Sequence, residues 1–146
     1  MFIREIRHGD MPQLLELYTH LHDSEMPEVD FKLKNLWDGI IEDRNHHIIV
    51  GINNELVVSS CVINIIPNLT HNQRAYALIE NVITHPKYRG NGYATKILAH
   101  AKMIAKENDC YKIMLLTGSK KQATLNFYER AGYNKNDKTA FIQWLD

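Results

Sequence analysis

The chain has 146 residues, of which 45% are hydrophobic and 23% are charged. This composition is typical of a globular protein and excludes a disordered chain, and the length suits one domain over residues 1–146. Lysine plus arginine and aspartate plus glutamate number 17 each. The near-zero net charge therefore argues against the basic surface that nucleic-acid binding requires.

The sequence also bears on location. No stretch reaches the length of a membrane helix, and Met1–Glu5 lacks the apolar core of a signal peptide. The only cysteines, Cys61 and Cys110, lie in strand-like or helix-end segments, and buried free thiols are typical of cytosolic proteins. We expect a cytoplasmic protein that has no membrane partner.

Hydrophobic periodicity predicts alternating strands and helices along the chain. The predicted elements, in chain order, are a strand over 2–7, a helix from Asp10, a helix from Asp30, strands over 47–52, 55–66 and 76–84, a helix over 93–108, a strand over 111–117, a helix ending at Ala131 and a strand over 138–145. The order β-α-α-β-β-β-α-β-α-β predicts an α/β (α+β) fold with a mixed central sheet and helices on both faces.

Polar residues set several of the predicted helix starts. Asp10 with Gln13, and Ser119 with Gln122, have the spacing of capping boxes, and Asp30 is placed to cap the second helix. These signals use hydrogen bonds between neighbours in sequence, so each is a local prediction.

Turn residues and apolar runs set the remaining expectations. Asn53-Asn54 is typical of a tight hairpin turn, and Gly132 is a good left-handed cap for the last helix. The run 111–117 is apolar enough for a strand buried on both faces.

A glycine-rich turn follows the strand over 76–84 and opens the long helix. It reads Arg89-Gly90-Asn91-Gly92-Tyr93-Ala94. A strand, a glycine turn and a helix N-terminus together form an anion site, because N–H groups point outward and the helix dipole favours negative charge. Thr95 stands where a dinucleotide fingerprint needs Gly or Ala, and the Gly-Lys-Ser/Thr of a P-loop is absent.

The turn, read as Arg-x-x-Gly-x-Ala after a strand, resembles the pyrophosphate loop of the GNAT N-acetyltransferases. The segment Asn126–Tyr133 is similar to that family's Phe-Tyr-x-x-x-Gly-Phe/Tyr segment, and Glu80–Tyr88 has the form of its lead-in strand. The resemblance covers about residues 76–133 in the right order. It implies the GNAT fold and acetyl-CoA as cosubstrate.

The resemblance also implies where acetyl-CoA binds. Backbone N–H groups of the turn would bind the pyrophosphate, and the end of the strand would hold the pantetheine arm, with an N–H near Val82 polarising the thioester carbonyl. The implied binding residues are Val82, Ile83, Thr84, Arg89, Gly90, Asn91, Gly92, Tyr93, Ala94 and Thr95. The plainer alternative is that Gly90-Asn91-Gly92 is only a tight turn before a helix.

Amine acetylation needs a group that removes a proton from the ammonium and a group that protonates the leaving thiolate. The resemblance makes Tyr128 the candidate acid, although its helical stripe also fits a core aromatic residue. Glu80 interrupts an apolar strand on the face of Leu78 and Val82, so it is the candidate base or an orienting group for the ammonium.

One position departs from the family pattern. Many members carry Asn seven residues before the tyrosine, and here Lys121 stands there. An Asn contact to pantetheine is therefore in doubt, and Lys121 is either a CoA contact or a solvated lysine at a helix start. The histidines and cysteines show no metal-ligand spacing, so we expect no metal.

The acceptor is left open by the sequence. The main expectation is that the acceptor is a primary amine of a small molecule. The acetyl group would pass to it directly from acetyl-CoA in a ternary complex. A protein or peptide acceptor and a non-catalytic acyl-CoA sensor are the alternatives, and the family resemblance also leads us to expect a homodimer.

Overall fold

The structure is a computed structural model that describes all 146 residues. The chain forms two compact units, Met1–Leu115 and Leu116–Asp146, and the expectation of a single domain stays a prediction. The strands are β1 (Phe2–Glu5), β2 (His46–Asn53), β3 (Leu56–Ile66), β4 (Tyr76–Thr84) and β5 (Ile113–Leu115). The helices are α1 (Met11–Tyr18), α2 (Phe31–Glu42), α3 (Tyr93–Glu107) and α4 (Gln122–Arg130).

The five strands form one mixed sheet in the order β1-β2-β3-β4-β5. The pairs from β1 to β4 are antiparallel, and β5 runs parallel to β4. A tight turn joins β2 to β3, whereas β1 connects to β2 through α1 and α2, and the parallel step from β4 to β5 crosses over through α3. The predicted mixed sheet is confirmed.

Helices of the first unit cover both faces of the sheet. Leu14, Leu17 and Trp37 of α1 and α2 pack with Ile48 and Val50 of β2. A Cβ added at Gly51, the next residue on β2, would lie 3.4 Å from Ile97 of α3. Because side chains alternate across a strand, α3 covers the face opposite to α1 and α2.

The start of α1 differs from the predicted capping box. Asp10 ends a short 3-10 turn in a helical conformation, and its carboxylate binds the Arg4 guanidinium at 2.6 and 3.0 Å and the Arg7 N–H at 2.7 Å. Gln13 instead accepts a hydrogen bond from the Val57 N–H at 2.8 Å. Other partners have therefore replaced the predicted cap: nearby Arg4 and Arg7 at Asp10, and the distant Val57 at Gln13.

Other local signals of the first unit are confirmed or shifted by a residue. Asp30 accepts a hydrogen bond from the Leu33 N–H at 2.8 Å and caps α2 as predicted. The tight turn between β2 and β3 uses Asn54 and Glu55 in left-handed conformation, one residue beyond the prediction. The β5 side chains are only half-buried, so the expectation of a strand buried on both faces is wrong.

The second unit holds α4 and the C-terminal segment. Gly132 has a φ of +96° and ends the helix as predicted. The Ser119 hydroxyl accepts a hydrogen bond from the Lys121 N–H at 3.3 Å, and no side chain caps α4, so the capping box predicted at Ser119 and Gln122 is wrong.

The strand predicted over 138–145 is absent from the structure. A strand needs a main-chain partner, and the sheet contains only β1 to β5. The large apolar side chains of this segment are mostly exposed: Phe141 by 91%, Ile142 by 62%, Trp144 by 80% and Leu145 by 93%.

Candidate functional site

The middle of β4 contains a β-bulge that sets the geometry of the site. Val62 of β3 pairs with Glu80, but Ser60 pairs with Ile83, so β4 carries one extra residue between these pairs. Asn81, at the bulge, has a φ of +52°, a conformation that asparagine tolerates better than most residues.

The bulge corrects one sequence-based expectation. Ser60 and Val62 are two residues apart and share a face of β3, so their partners Ile83 and Glu80 also share a face. Val82 therefore points to the opposite face, and the prediction that Glu80 shares a face with Val82 is wrong. Strand alternation fails here because a single extra residue inverts the pattern beyond it.

The far half of β4 offers an open main-chain edge within the first unit. The pairing with β5 covers only Ala77–Ile79, whereas the pairing with β3 continues to Thr84. From Glu80 onward, the edge that faces away from β3 therefore has no strand beside it. Free N–H and C=O groups along such an edge can bind an extended chain that carries amides.

The glycine turn places two left-handed residues before α3. Gly90 has a φ of +79° and Gly92 a φ of +71°, and a Cβ at either would meet no atom within 4 Å. Gly92 is the residue that precedes the helix, and no side chain caps the first turn of α3. The N–H groups of Tyr93, Ala94 and Thr95 are thus available to an anion.

Two side chains of the turn stabilise its shape. The Arg89 Nε donates a hydrogen bond to the Thr84 carbonyl at 3.1 Å. The Asn91 amide donates to the Tyr88 and Arg89 carbonyls at 3.0 and 3.2 Å. Arg89 thereby ties the turn to the end of β4.

Glu80 is exposed on the face of the sheet that α1 and α2 cover. It stands opposite Val62, which belongs to the core on that face. No ion pair or hydrogen bond of the structure engages its carboxylate. An unengaged carboxylate on a strand beside the bulge is available to accept a proton or to bind a cation.

Tyr128 belongs to α4 in the second unit, where it is half-buried. Its ring lies 4.9 Å from that of Phe127 and 6.2 Å from that of Tyr133, measured between centroids. Lys121, at the departure from the family pattern, is exposed and precedes α4. The first unit brings together Glu80, the end of β4 and the glycine turn, while the place of Tyr128 beside them stays a prediction.

A histidine pair beside the turn was missed by the sequence analysis. The rings of His20 and His85 lie 4.8 Å apart at their centroids. Burial, the neighbouring His20 and the cations Lys87 and Arg89 hold the pKa of His85 below its usual range, and Glu16 opposes them. No sequence signal joins His20 to His85, because the contact depends on how α1 packs against the sheet.

His85 also borders a cavity of about 190 Å³. The cavity is lined by Gln13, Glu16, Leu17, Leu56, Val57, Val58, His85, Lys87 and Tyr88. It thus lies between α1 and the residues that lead into the glycine turn.

Neither a metal site nor a membrane-spanning helix is found in the structure. No group of three or more His, Cys, Asp or Glu side chains is placed to hold a metal ion. None of the helices has both the length and the apolar character needed to cross a membrane.

Comparison with known proteins gives a family match over most of the chain. The model of the acetyltransferase (GNAT) family matches residues 9–133. A glucosamine 6-phosphate N-acetyltransferase from Trypanosoma brucei brucei is 29% identical over 141 residues, which cover 93% of this chain and 90% of that protein.

Solved structures share the fold over nearly the whole chain. A putative acetyltransferase from Agrobacterium tumefaciens strain C58 superposes with a TM-score of 0.90 at 36% identity, covering 99% of this chain and 100% of that one. A protein from Bacillus halodurans C-125 described as a transcriptional regulator has a TM-score of 0.86 at 26% identity, with coverage of 98% and 99%.

Proposed function

The chain belongs to the GNAT family of acetyltransferases, and from this premise we propose that it transfers an acetyl group from acetyl-CoA to a primary amine of a small molecule. The observation that carries the proposal is the open edge of β4 beside an uncapped glycine turn. The strand edge suits the amide-bearing pantetheine arm, and the glycine turn suits the pyrophosphate.

The residues of the first unit fit acetyl-CoA in two places. The N–H groups from Arg89 to Thr95 would hold the pyrophosphate, and the left-handed glycines let the backbone approach it closely. The main chain of Val82, Ile83 and Thr84 would pair with the pantetheine amides. Bound there, acetyl-CoA supplies an acetyl group activated as a thioester.

The protein's own groups handle the charges of the reaction. Glu80 takes the proton that the acceptor ammonium must lose, directly or through a water, or orients that ammonium. The Val82 N–H polarises the thioester carbonyl as its oxygen gains charge. As the C–N bond forms and the C–S bond breaks, Tyr128 delivers a proton to the leaving sulfur.

The transfer is proposed to be direct, within a ternary complex. A covalent route would need a reactive thiolate in the protein. Burial raises the pKa of Cys61 to about 12 and also raises the pKa of Cys110. Both thiols are therefore poor nucleophiles at neutral pH.

The small-molecule acceptor is supported by the trypanosomal relative, which is named for glucosamine 6-phosphate. The test is acetyl-CoA-dependent thiol release over a panel of amino sugars, amino sugar phosphates, polyamines, aminophosphonates, amino acids and lysine or N-terminal peptides. Thiol release with one class of small amine supports the proposal. Release only with the peptides would replace the small molecule by a protein acceptor.

A sensor is the second candidate, favoured by the Bacillus halodurans relative described as a regulator. Such a protein would keep the glycine turn and bind acetyl-CoA, but it would not catalyse acetyl transfer. Saturable acetyl-CoA binding by calorimetry, with no thiol release on any amine from folded protein, would support the sensor and contradict the enzyme.

We also propose that the protein acts in the cytoplasm as a homodimer and without a membrane or nucleic-acid partner. The exposed side chains of Phe141, Trp144 and Leu145 support a contact between two copies, since several large exposed apolar groups close together often mark a protein–protein contact. Sedimentation should give a dimer mass for the protein and a monomer mass for Trp144→Ser. Leu69→Ser, which alters a loop residue that is 87% exposed, is the matched control and should remain dimeric.

A further inference from the structure

Two buried hydroxyls near the β4 bulge have no hydrogen-bond partner in the protein. They belong to Tyr18, the last residue of α1, and Ser60 of β3. The neighbouring Ser59 differs, because its hydroxyl bonds to the Ile83 carbonyl at 3.0 Å and to the Thr84 hydroxyl at 2.8 Å. A buried hydroxyl without a partner costs free energy, so a pair of them at one place requires an explanation.

The two hydroxyls lie at the bulge itself. Ser60 is fully buried and pairs with Ile83, the residue that resumes the ladder after the bulge. Ser60 and the Asn81 side chain are both close enough to Tyr18 to lower its pKa, although neither meets the distance and angle of a hydrogen bond. Burial is the larger effect and raises the pKa of Tyr18 to about 12, so the phenol stays protonated and remains a donor.

Asn81 connects this buried pair to the proposed reaction. Its neighbours in sequence are Glu80, the proposed base, and Val82, whose N–H is proposed to face the thioester carbonyl. Asn81 is exposed and has a φ of +52°, so its conformation needs support from its surroundings. A contact that holds the Asn81 side chain therefore holds both reacting groups beside it.

We propose that Tyr18 and Ser60 bind one ordered water together with the Asn81 side chain, and that Tyr18 is thereby a positioning residue for acetyl transfer. A water at this place would have three polar partners, which is the usual number for a buried water. It accepts from the Tyr18 hydroxyl and donates to the Ser60 oxygen and the Asn81 carbonyl oxygen. The positioning role of Tyr18 rests on the proposed acetyl transfer, whereas the water site itself does not.

The kinetic test uses Tyr18→Phe, which removes only the hydroxyl. We expect kcat to fall about tenfold, because small misplacements of reacting groups have effects of this size or larger, while the KM for acetyl-CoA stays the same. Ser60→Ala should lower kcat similarly. The double variant should lose no more kcat than either single variant, because the two single variants and the double variant all lack the same water bridge. Tyr76→Phe, at the other end of β4, is the matched control and should keep the wild-type kcat.

A second measurement separates this inference from the proposed function. Amide hydrogen exchange at Asn81 and Val82 in the free protein should be faster in Tyr18→Phe than in wild type and unchanged in Tyr76→Phe, whether or not an amine is acetylated. Unchanged exchange at these amides in Tyr18→Phe, together with a higher thermal midpoint, would overturn the proposal. Removing the hydroxyl would then have stabilised the protein, which means that it bound no water in the wild type. Additive losses of kcat in the double variant would overturn the shared water.

Discussion

The two compact units of the chain differ in how their side chains are used. All buried residues belong to Met1–Leu115, whereas Leu116–Asp146 has no fully buried residue and includes the most exposed apolar side chains, Phe141 and Leu145. The first unit supplies the proposed binding functions mainly through its main chain. The second supplies the proposed acid as a side chain, Tyr128. Acetyl-CoA binding and proton delivery should therefore be separable by mutation.

The sharpest separation is expected from Tyr128→Phe. Losing a general acid typically lowers turnover by about 10²-fold or more, whereas the main chain of the first unit still binds acetyl-CoA. Steady-state kinetics should show a reduced kcat with a nearly unchanged KM for acetyl-CoA. If kcat and the affinity for acetyl-CoA fell equally and the melting temperature also fell, Tyr128 would be a structural residue. Binding and proton delivery would then not be divided between the two units.

Glu80→Gln tests the one side chain of the first unit that is proposed to act on protons. We expect kcat/KM for the amine to fall by about 10²-fold near neutral pH. The loss should shrink as pH rises, because more of the amine then arrives already deprotonated. If the variant instead matches wild type across the pH profile, Glu80 has no part in the reaction.

Gly92→Val tests the main-chain binding function. A β-branched residue at a φ of +71° is strained, at a cost of about 1–2 kcal/mol, and the turn should shift away from the shape that binds pyrophosphate. We expect acetyl-CoA affinity, measured by calorimetry, to fall about tenfold.

Gly39→Ala is the control for Gly92→Val, because Gly39 lies within α2 and a Cβ added there would meet no atom within 4 Å. It should keep the affinity and stabilise the protein by roughly 0.5–1 kcal/mol. An equal loss of affinity in both variants would indicate a global effect.

The smallest effect is expected on stability, in the first unit. Arg4 and the Arg7 N–H hold the pKa of the Asp10 carboxyl below its usual 3.8. Because the folded-state pKa is the lower one, this stabilisation is complete above the unfolded-state pKa and is lost as pH falls through the folded-state pKa.

Asp10→Asn should therefore lower the free energy of unfolding by about 1.5–3 kcal/mol at pH 7, with a smaller difference below about pH 4. Asp38→Asn removes an exposed pair with His8 and should change little. A pH-independent difference between Asp10→Asn and wild type would contradict the role of the ion pair.

The sequence predicted most of the region from β4 to α3, because the signals there are local. The left-handed glycines, the helix that starts at Tyr93 and the strand that ends at Thr84 each follow from neighbouring residues. The bulge at Asn81 was not predictable, because it depends on the register that places Ser60 opposite Ile83. That single extra residue reverses the face of Val82.

Contacts outside the predicted pairs explain the other errors. Asp10 lost its predicted cap to Arg4, and the pattern over 138–145 had the composition of a strand but found no strand to pair with. Composition sets the preference for extended structure, whereas a strand exists only where a partner edge is present. The Tyr18–Ser60 pair joins α1 to β3, so no sequence pattern could indicate it.

Mass spectrometry of an acceptor after incubation with acetyl-CoA and the folded protein tests the proposed acetyl transfer directly. Glucosamine 6-phosphate is the first acceptor to use, with the Glu80→Gln variant alongside the wild type. We expect the wild type to add an acetyl group to the nitrogen of the acceptor and the variant to do so far more slowly. Release of CoA without an acetylated product, for this amine and for the rest of the panel, would contradict the proposed N-acetyl transfer.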